Sequence, residues 1–285
     1  MRVDFLLVVR YSNILSFNET YQPSFGVVNV STRENASTFA KGLRVLECFE
    51  SGQRGMTMAD VARLCDFDRA TARRLCLTLI DCGYLVQNGR ALELTAKALA
   101  IGAGYLTSHD YGRAVQPILD RFAEELDGEI ALAVLDGPRA LYVARSATSS
   151  ARVSFGFSAG STLPLAPTAI GRMLLAQLAP DALDARLAGI DLQRYTDRTE
   201  TDPTELRARI RETAANGHCH VENEFEMGAS ALAVPVGQIG GVPAALGTTA
   251  SVNAMDDPAT RNRVLDILRR AAMGLGYQRG MGTGA

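Results

Sequence analysis

Thr57-Met58-Ala59-Asp60-Val61-Ala62-Arg63-Leu64-Cys65-Asp66-Phe67-Asp68-Arg69-Ala70-Thr71-Ala72-Arg73-Arg74-Leu75-Cys76-Leu77-Thr78-Leu79 holds two helix starts in close succession. The Thr57 hydroxyl can accept a hydrogen bond from a free backbone N–H of a first turn, and Val61, Ala62 and Leu64 supply an inward face before the segment ends near Cys65-Asp66. Asp68 can cap the next helix, which runs to Cys82 with Ala72, Leu75, Cys76 and Leu79 at i, i+3, i+4 and i+7, and Gly83 stops it. Downstream, Tyr84 to Gln87, the turn residues Asn88-Gly89 and the stretch from Arg90 to Leu94 read as a small hairpin. Upstream, Leu43, Leu46, Cys48 and Phe49 recur at helical spacing after Phe39, and Ser51-Gly52 closes the segment. Three helices followed by a hairpin predict a winged helix-turn-helix over 38–95.

If the second of the quoted helices turns Ala72, Leu75, Cys76 and Leu79 inward, 100° per residue puts Ala70, Arg73, Arg74 and Leu77 outward. Thr71 and Thr78 then flank this face, and Arg69 lies at its N-terminal end. A helix reads the major groove when one face is anchored and the other offers cations and donors; an arginine fork can take guanine O6 and N7 together, and an apolar side chain can meet a thymine methyl. Arg90, beside the hairpin turn, is a candidate phosphate contact. An isolated arginine pair is more often a solvated surface, but here it sits behind a capped helix and ahead of a hairpin.

The 285 residues, 47% hydrophobic and 21% charged, fit a globular chain of two domains or one large one. A net charge of −2 supplies no general basic field, so nucleic-acid binding has to come from a local patch. No run of about 18 apolar residues occurs, and Phe5 to Val9 is too short for a secretion signal, so a cytoplasmic protein without membrane contact is expected. The five cysteines form no CxxC pair, and buried reduced thiols are the expected state.

The remainder reads as follows. Residues 1–37 and 279–285 are expected to be flexible tails, and 96–110 a linker helix capped by Thr95, too apolar and short to stand alone and suited to packing on a partner subunit. Residues 111–278 are expected to form the second domain. A helix over 111–126 leads into strands at 130–135 and 141–145, with further strands at 152–157, 218–224, 232–238 and 244–250 and helices at 168–178, 203–216 and 258–274. The fold class is α+β in two domains.

The chain also resembles the isocitrate-lyase-regulator (IclR) family over roughly 39–278. Ala59-Asp60-Val61-Ala62-Arg63, Asp68-Arg69-Ala70-Thr71-Ala72-Arg73-Arg74 and Leu79-Ile80-Asp81-Cys82-Gly83-Tyr84 are similar to its DNA-binding half. Gly160 to Leu165 with Ala169-Ile170-Gly171-Arg172, and Gly217, Glu224 and Ala231-Leu232-Ala233-Val234-Pro235, are similar to its second half. Ala-Thr-Ala-Arg-Arg with Tyr195-Thr196 and Thr199 looks most like regulators of aromatic-acid catabolism (protocatechuate, 4-hydroxybenzoate, β-ketoadipate). Asp66 stands where the family has glycine, which a short polar side chain tolerates because it can enter the left-handed region. Val221 stands where an acidic residue or serine is common, making the implied pocket more apolar.

The resemblance implies a GAF-like antiparallel sheet holding an effector, with Ala169, Ile170, Val221, Ala229, Ala231, Gly247 and Thr249 in the lining. For a carboxylate, Ser230, Thr248 and the free N–H groups at the start of the Thr168 helix are candidate donors. A rival chemistry lies in His218, His220, Glu222 and Glu224, whose alternation on a strand would aim all four from one face, as a transition-metal site needs. No Gly-x-Ser-x-Gly, phosphate loop or nucleophile with its base is assembled, so neither catalysis nor a cofactor is expected. The expected function is a DNA-binding transcription regulator, a dimer or tetramer, controlled by a small organic acid such as an aromatic acid; RNA polymerase is a candidate partner. The alternative is a metal-responsive regulator.

Overall fold

A computed structural model describes residues 37–51, 55–148 and 158–280. The chain divides into two compact units, residues 1–100 and 101–285.

In the first unit α1 spans Ser37–Glu47 and runs into a 3-10 turn, Cys48–Ser51. Then come α2 (Met58–Cys65), α3 (Arg69–Asp81) and the antiparallel strands β1 (Leu85–Asn88) and β2 (Ala91–Leu94). Thr57 forms a full capping box on α2: its hydroxyl accepts from Asp60 N at 3.2 Å while its own N–H donates to Asp60 Oδ2 at 3.0 Å. Asp66 ends α2 at φ 54°, the left-handed geometry expected of it, and Asp68 then caps α3 by accepting from Thr71 N at 2.8 Å. Val45, Cys48, Val61, Cys65, Leu75, Cys76, Leu85 and Leu92 close the core between these elements. The hairpin differs by one residue from expectation. Asn88 pairs with Ala91, so the turn is Gly89-Arg90, with Gly89 at φ 64°, and Arg90 sits in the turn itself. Helix α4 (Ala96–Ser108) follows and buries none of its residues.

The second unit is built on one six-stranded antiparallel sheet in the order β5-β4-β3-β8-β7-β6. Its strands are β3 (Glu129–Asp136), β4 (Arg139–Ala147), β5 (Thr162–Pro164), β6 (Cys219–Glu222), β7 (Ala229–Ile239) and β8 (Val242–Ser251). Alternation splits the central strands between two cores. Ile130, Leu132, Val134, Leu232, Val234 and Leu246 face α5 (Gln116–Leu126) and the long C-terminal helix. Ala131, Ala133, Ala231, Ala233 and Ala245 face α6 (Ala169–Leu175), α7 (Pro180–Leu187) and α8 (Pro203–Asn216). Small side chains on that second face let α6 sit close. A Cβ on Gly247 would fall 2.5 Å from Ile170 Cγ1, and one on Gly171 would fall 2.3 Å from the Leu165 carbonyl oxygen.

Several boundaries move. The helix expected over 111–126 begins as a π-helical turn, Tyr111–Val115, after Asp110 in left-handed geometry. Thr168 is the N-cap of α6 rather than its first residue, accepting from Gly171 N at 3.1 Å. After the short α9 (Val252–Met255), α10 runs Pro258–Gly280. Strand 152–157 and the two tails lie outside the described residues, apart from Ser37, which opens α1, and the end of α10. Cys48, Cys65, Cys76 and Cys219 are buried free thiols, whereas Cys82 is exposed. Among the described residues no helix is long and apolar enough to cross a membrane.

Candidate functional site

Two surfaces gather the candidate residues. On α3, Ala72, Leu75 and Cys76 are buried and Leu79 packs against the same core, so the opposite face is fixed outward. Arg69, Ala70, Arg73, Arg74 and Thr78 are exposed there, with Thr71 and Leu77 half-buried. Two hydroxyls are already engaged: Thr71 Oγ1 donates to Asp68 Oδ2 at 2.7 Å, and Thr78 Oγ1 to the Arg74 carbonyl at 3.0 Å. The N-cap bonds from Thr71 hold the Asp68 carboxyl below the usual carboxylate range, so the cap is ionised at neutral pH. Arg90 is exposed at the tip of the hairpin. Four arginines thus project from an anchored helix and its neighbouring turn.

The other surface is a cavity of about 50 Å³ on the alanine-rich face of the sheet. Of the predicted lining, Ala169, Ile170, Val221, Ala229, Ala231, Gly247 and Thr249 border it, and so does Thr248. Ser230 does not. It lies on the opposite face, where its hydroxyl donates to Glu222 Oε1 at 3.0 Å and sits 2.9 Å from His220 Nε2. Thr168 borders the cavity as well, and Glu129, Tyr142, Leu163, Pro167, Asn223, Glu224, Phe225, Glu226 and Leu232, none of them expected in the lining, contribute to the wall. Tyr142 is buried, and that burial pushes its phenol well above the usual tyrosine range. It is therefore a neutral hydroxyl at any working pH.

The segment from Asn223 to Gly228 owes its shape to long-range bonds. Thr196 Oγ1 donates to the Asn223 carbonyl at 2.5 Å and Thr199 Oγ1 to the Glu224 carbonyl at 2.6 Å, while Tyr195 packs its ring 5.1 Å from Phe225. The Glu224 carboxylate, itself buried, accepts from Arg172 Nη2 at 2.5 Å and from Glu200 N at 2.9 Å. Arg172 also donates from Nε to the Ala166 carbonyl at 2.7 Å. The Tyr195, Thr196 and Thr199 pattern is thus a clamp on the cavity wall.

The metal alternative is overturned by the same segment. Strand β6 contains only Cys219–Glu222, and Asn223 turns the backbone to φ 61°, so Glu224 leaves the face shared by His220 and Glu222 and pairs with Arg172. His218 lies before the strand, its Nδ1 3.1 Å from the Asn216 carbonyl. The four side chains do not converge, and no cluster suited to a metal occurs among the described residues.

An anchored helix with outward arginines, a hairpin wing and a separate sheet unit with a lined cavity define a ligand-responsive DNA-binding protein. Residues 38–89 match the IclR helix-turn-helix domain and residues 103–276 the bacterial transcriptional regulator IclR C-terminal domain. The chain belongs to the IclR family of DNA-binding transcriptional regulators. It is 36% identical to the Pca regulon regulatory protein of Pseudomonas putida over 85% of this chain and 84% of the relative. It is 29% identical to the p-hydroxybenzoate hydroxylase transcriptional activator of Acinetobacter baylyi, over 85% and 92%. Among solved structures, an IclR homolog from Microbacterium hydrocarbonoxydans complexed with 4-hydroxybenzoate matches at TM-score 0.69 and 26% identity, covering 84% of this chain and 98% of that one.

Proposed function

We propose that this chain is a cytoplasmic regulator whose effector is an aromatic acid bound in the cavity between α6 and the sheet. The observation that carries this reading is that cavity: the seven residues that the family resemblance implies as lining all border it, and the wall they share with Phe225 is apolar enough for a ring. The similarity to regulators named for Pca and p-hydroxybenzoate genes, and to a structure holding 4-hydroxybenzoate, supports the ligand class. About 50 Å³ is less than the roughly 150 Å³ that accommodates benzene, so binding has to widen the site. Movement of the wall at 223–229 is the natural route, and ligand affinity is then linked to conformation.

DNA is read by Arg69, Ala70, Thr71, Arg73, Arg74, Leu77 and Thr78 of α3, with Arg90 of the wing on a phosphate. The protein works as a dimer or tetramer. Support for assembly comes from Phe39 and Leu43 on α1 and from Leu99, Ile101 and Tyr105 on α4, all large apolar side chains left exposed. The test is operator binding by the full chain with and without 4-hydroxybenzoate, protocatechuate and short keto acids. A change in operator affinity with ring acids alone is expected; a response confined to keto acids would overturn the effector class.

A further inference from the structure

The cavity is chemically lopsided. Acids border it at Glu129, Glu224 and Glu226, and among the described residues no lysine, arginine or histidine does. Two of the three are already satisfied: Glu129 Oε2 accepts from Arg145 at 2.8 Å, and Glu224 is held by Arg172, by Glu200 N and, at 3.4 Å, by Arg209. Three neighbouring polar atoms are committed as well. Thr168 Oγ1 donates to the Pro164 carbonyl at 2.7 Å, Asn223 Oδ1 accepts from Gly228 N at 2.7 Å, and Thr248 Oγ1 donates to the Glu129 carbonyl at 2.5 Å. The Glu226 carboxyl has no such partner among the described residues, although its backbone is fixed by the Ala229 N–H at 3.2 Å and by the clamp on Asn223 and Glu224. Burial without a compensating cation pushes its carboxyl above the usual range. A half-buried acceptor that borders the cavity and has no protein partner among the described residues is free to accept a hydrogen bond from a bound molecule.

We propose that Glu226 accepts a hydrogen bond from a hydroxyl group of the effector, so that the site selects ring acids bearing a hydroxyl away from their carboxylate. The inference rests on the effector reading above and adds its orientation. The ligand's own carboxylate is repelled by Glu226, while its hydroxyl is drawn to it. A site built to pair with a hydroxyl discriminates strongly against the analogue that lacks it, because binding the analogue leaves the protein group buried and unpaired.

Isothermal titration of the full chain with 4-hydroxybenzoate and with benzoate tests this. The parent protein is expected to prefer 4-hydroxybenzoate by about tenfold or more, the scale of one hydrogen bond to a charged group. E226L should bring the two affinities within about twofold of each other by weakening 4-hydroxybenzoate and sparing benzoate, a pattern that general damage to the cavity does not produce. E226Q, which keeps a carbonyl acceptor, should retain a reduced preference. If the parent binds both acids and E226L keeps the full preference, the Glu226 assignment is overturned and the effector reading stands. If the parent binds neither, the effector reading is overturned and this inference with it.

Discussion

Replacing Arg172 by methionine keeps the length of the side-chain stem and removes its donors. In the parent, Nε bonds the Ala166 carbonyl at 2.7 Å and Nη2 bonds Glu224 Oε2 at 2.5 Å, with both side chains no more than 6% exposed. Arg172→Met leaves a carboxylate and a carbonyl buried without those partners, and breaking one side of a buried pair costs about 3–5 kcal/mol. Glu224 keeps the Glu200 N–H, and Arg209, whose side chain is 47% exposed, remains 3.4 Å away, which places the cost near the lower end, about 3 kcal/mol. In a unit of this size each kcal/mol lowers the melting midpoint by about 2–4 °C, so a fall of roughly 6–12 °C is expected for the second unit. Scanning calorimetry of the full chain reads it directly. Adding Glu224→Gln removes the stranded charge and should recover at least half of the loss, since groups in contact do not contribute independently. An Arg172→Met midpoint within about 2 °C of the parent, on that same scale, would refute the argument that this pair holds the cavity wall.

Four further outcomes follow from the geometry. Arg73→Ala should weaken operator binding by tenfold or more (about 1.4 kcal/mol) and leave the unfolding midpoint unchanged; equal operator affinity in a gel-shift titration would remove the exposed face of α3 from the interface. Thr57→Ala breaks the capping box and should destabilise the first unit by about 1 kcal/mol in urea unfolding. Gly247→Ala drives a methyl to 2.5 Å from Ile170 Cγ1, a cost of about 1–3 kcal/mol, and Ile170→Val in the same chain should return part of it. Burial holds His220 below its ordinary value of 6.5, so the folded state favours the neutral ring; its contribution is complete above 6.5 and is lost as pH falls through the lower folded value. His220→Gln should therefore flatten the stability profile measured from about pH 7.5 down to about pH 5.

The parts of this molecule that were legible in its sequence are those decided locally. Thr57, Asp66 and Asp68 act on backbone groups within a turn of themselves, and each does what its position predicts. The hairpin was legible only to within a residue, because Asn88 and Gly89 both tolerate turn geometry and the register is settled by pairing Leu85 with Leu94 and Gln87 with Leu92. The cavity wall was not legible. Strand alternation continued on paper through Glu224, whereas the backbone leaves the strand at Asn223, and the partner that draws Glu224 inward lies 52 residues away in α6. Nor was Ser230 assigned to the right face, because the strand was read as beginning at Leu232, whereas β7 begins at Ala229 and alternation then turns Ser230 away from the face of Ala229 and Ala231.

The sheet of the second unit separates two kinds of selection residue by residue. Along β3, β7 and β8, positions of one parity meet α5 and α10 through large aliphatic side chains, and those of the other parity are mostly alanine and glycine beneath α6. On the effector reading proposed above, successive positions of a single strand lie mostly by turns under the aliphatic core of α5 and α10 and beside the cavity. Under that reading the cavity can be reshaped through side chains of one parity while the large aliphatic residues of the other stay packed against α5 and α10.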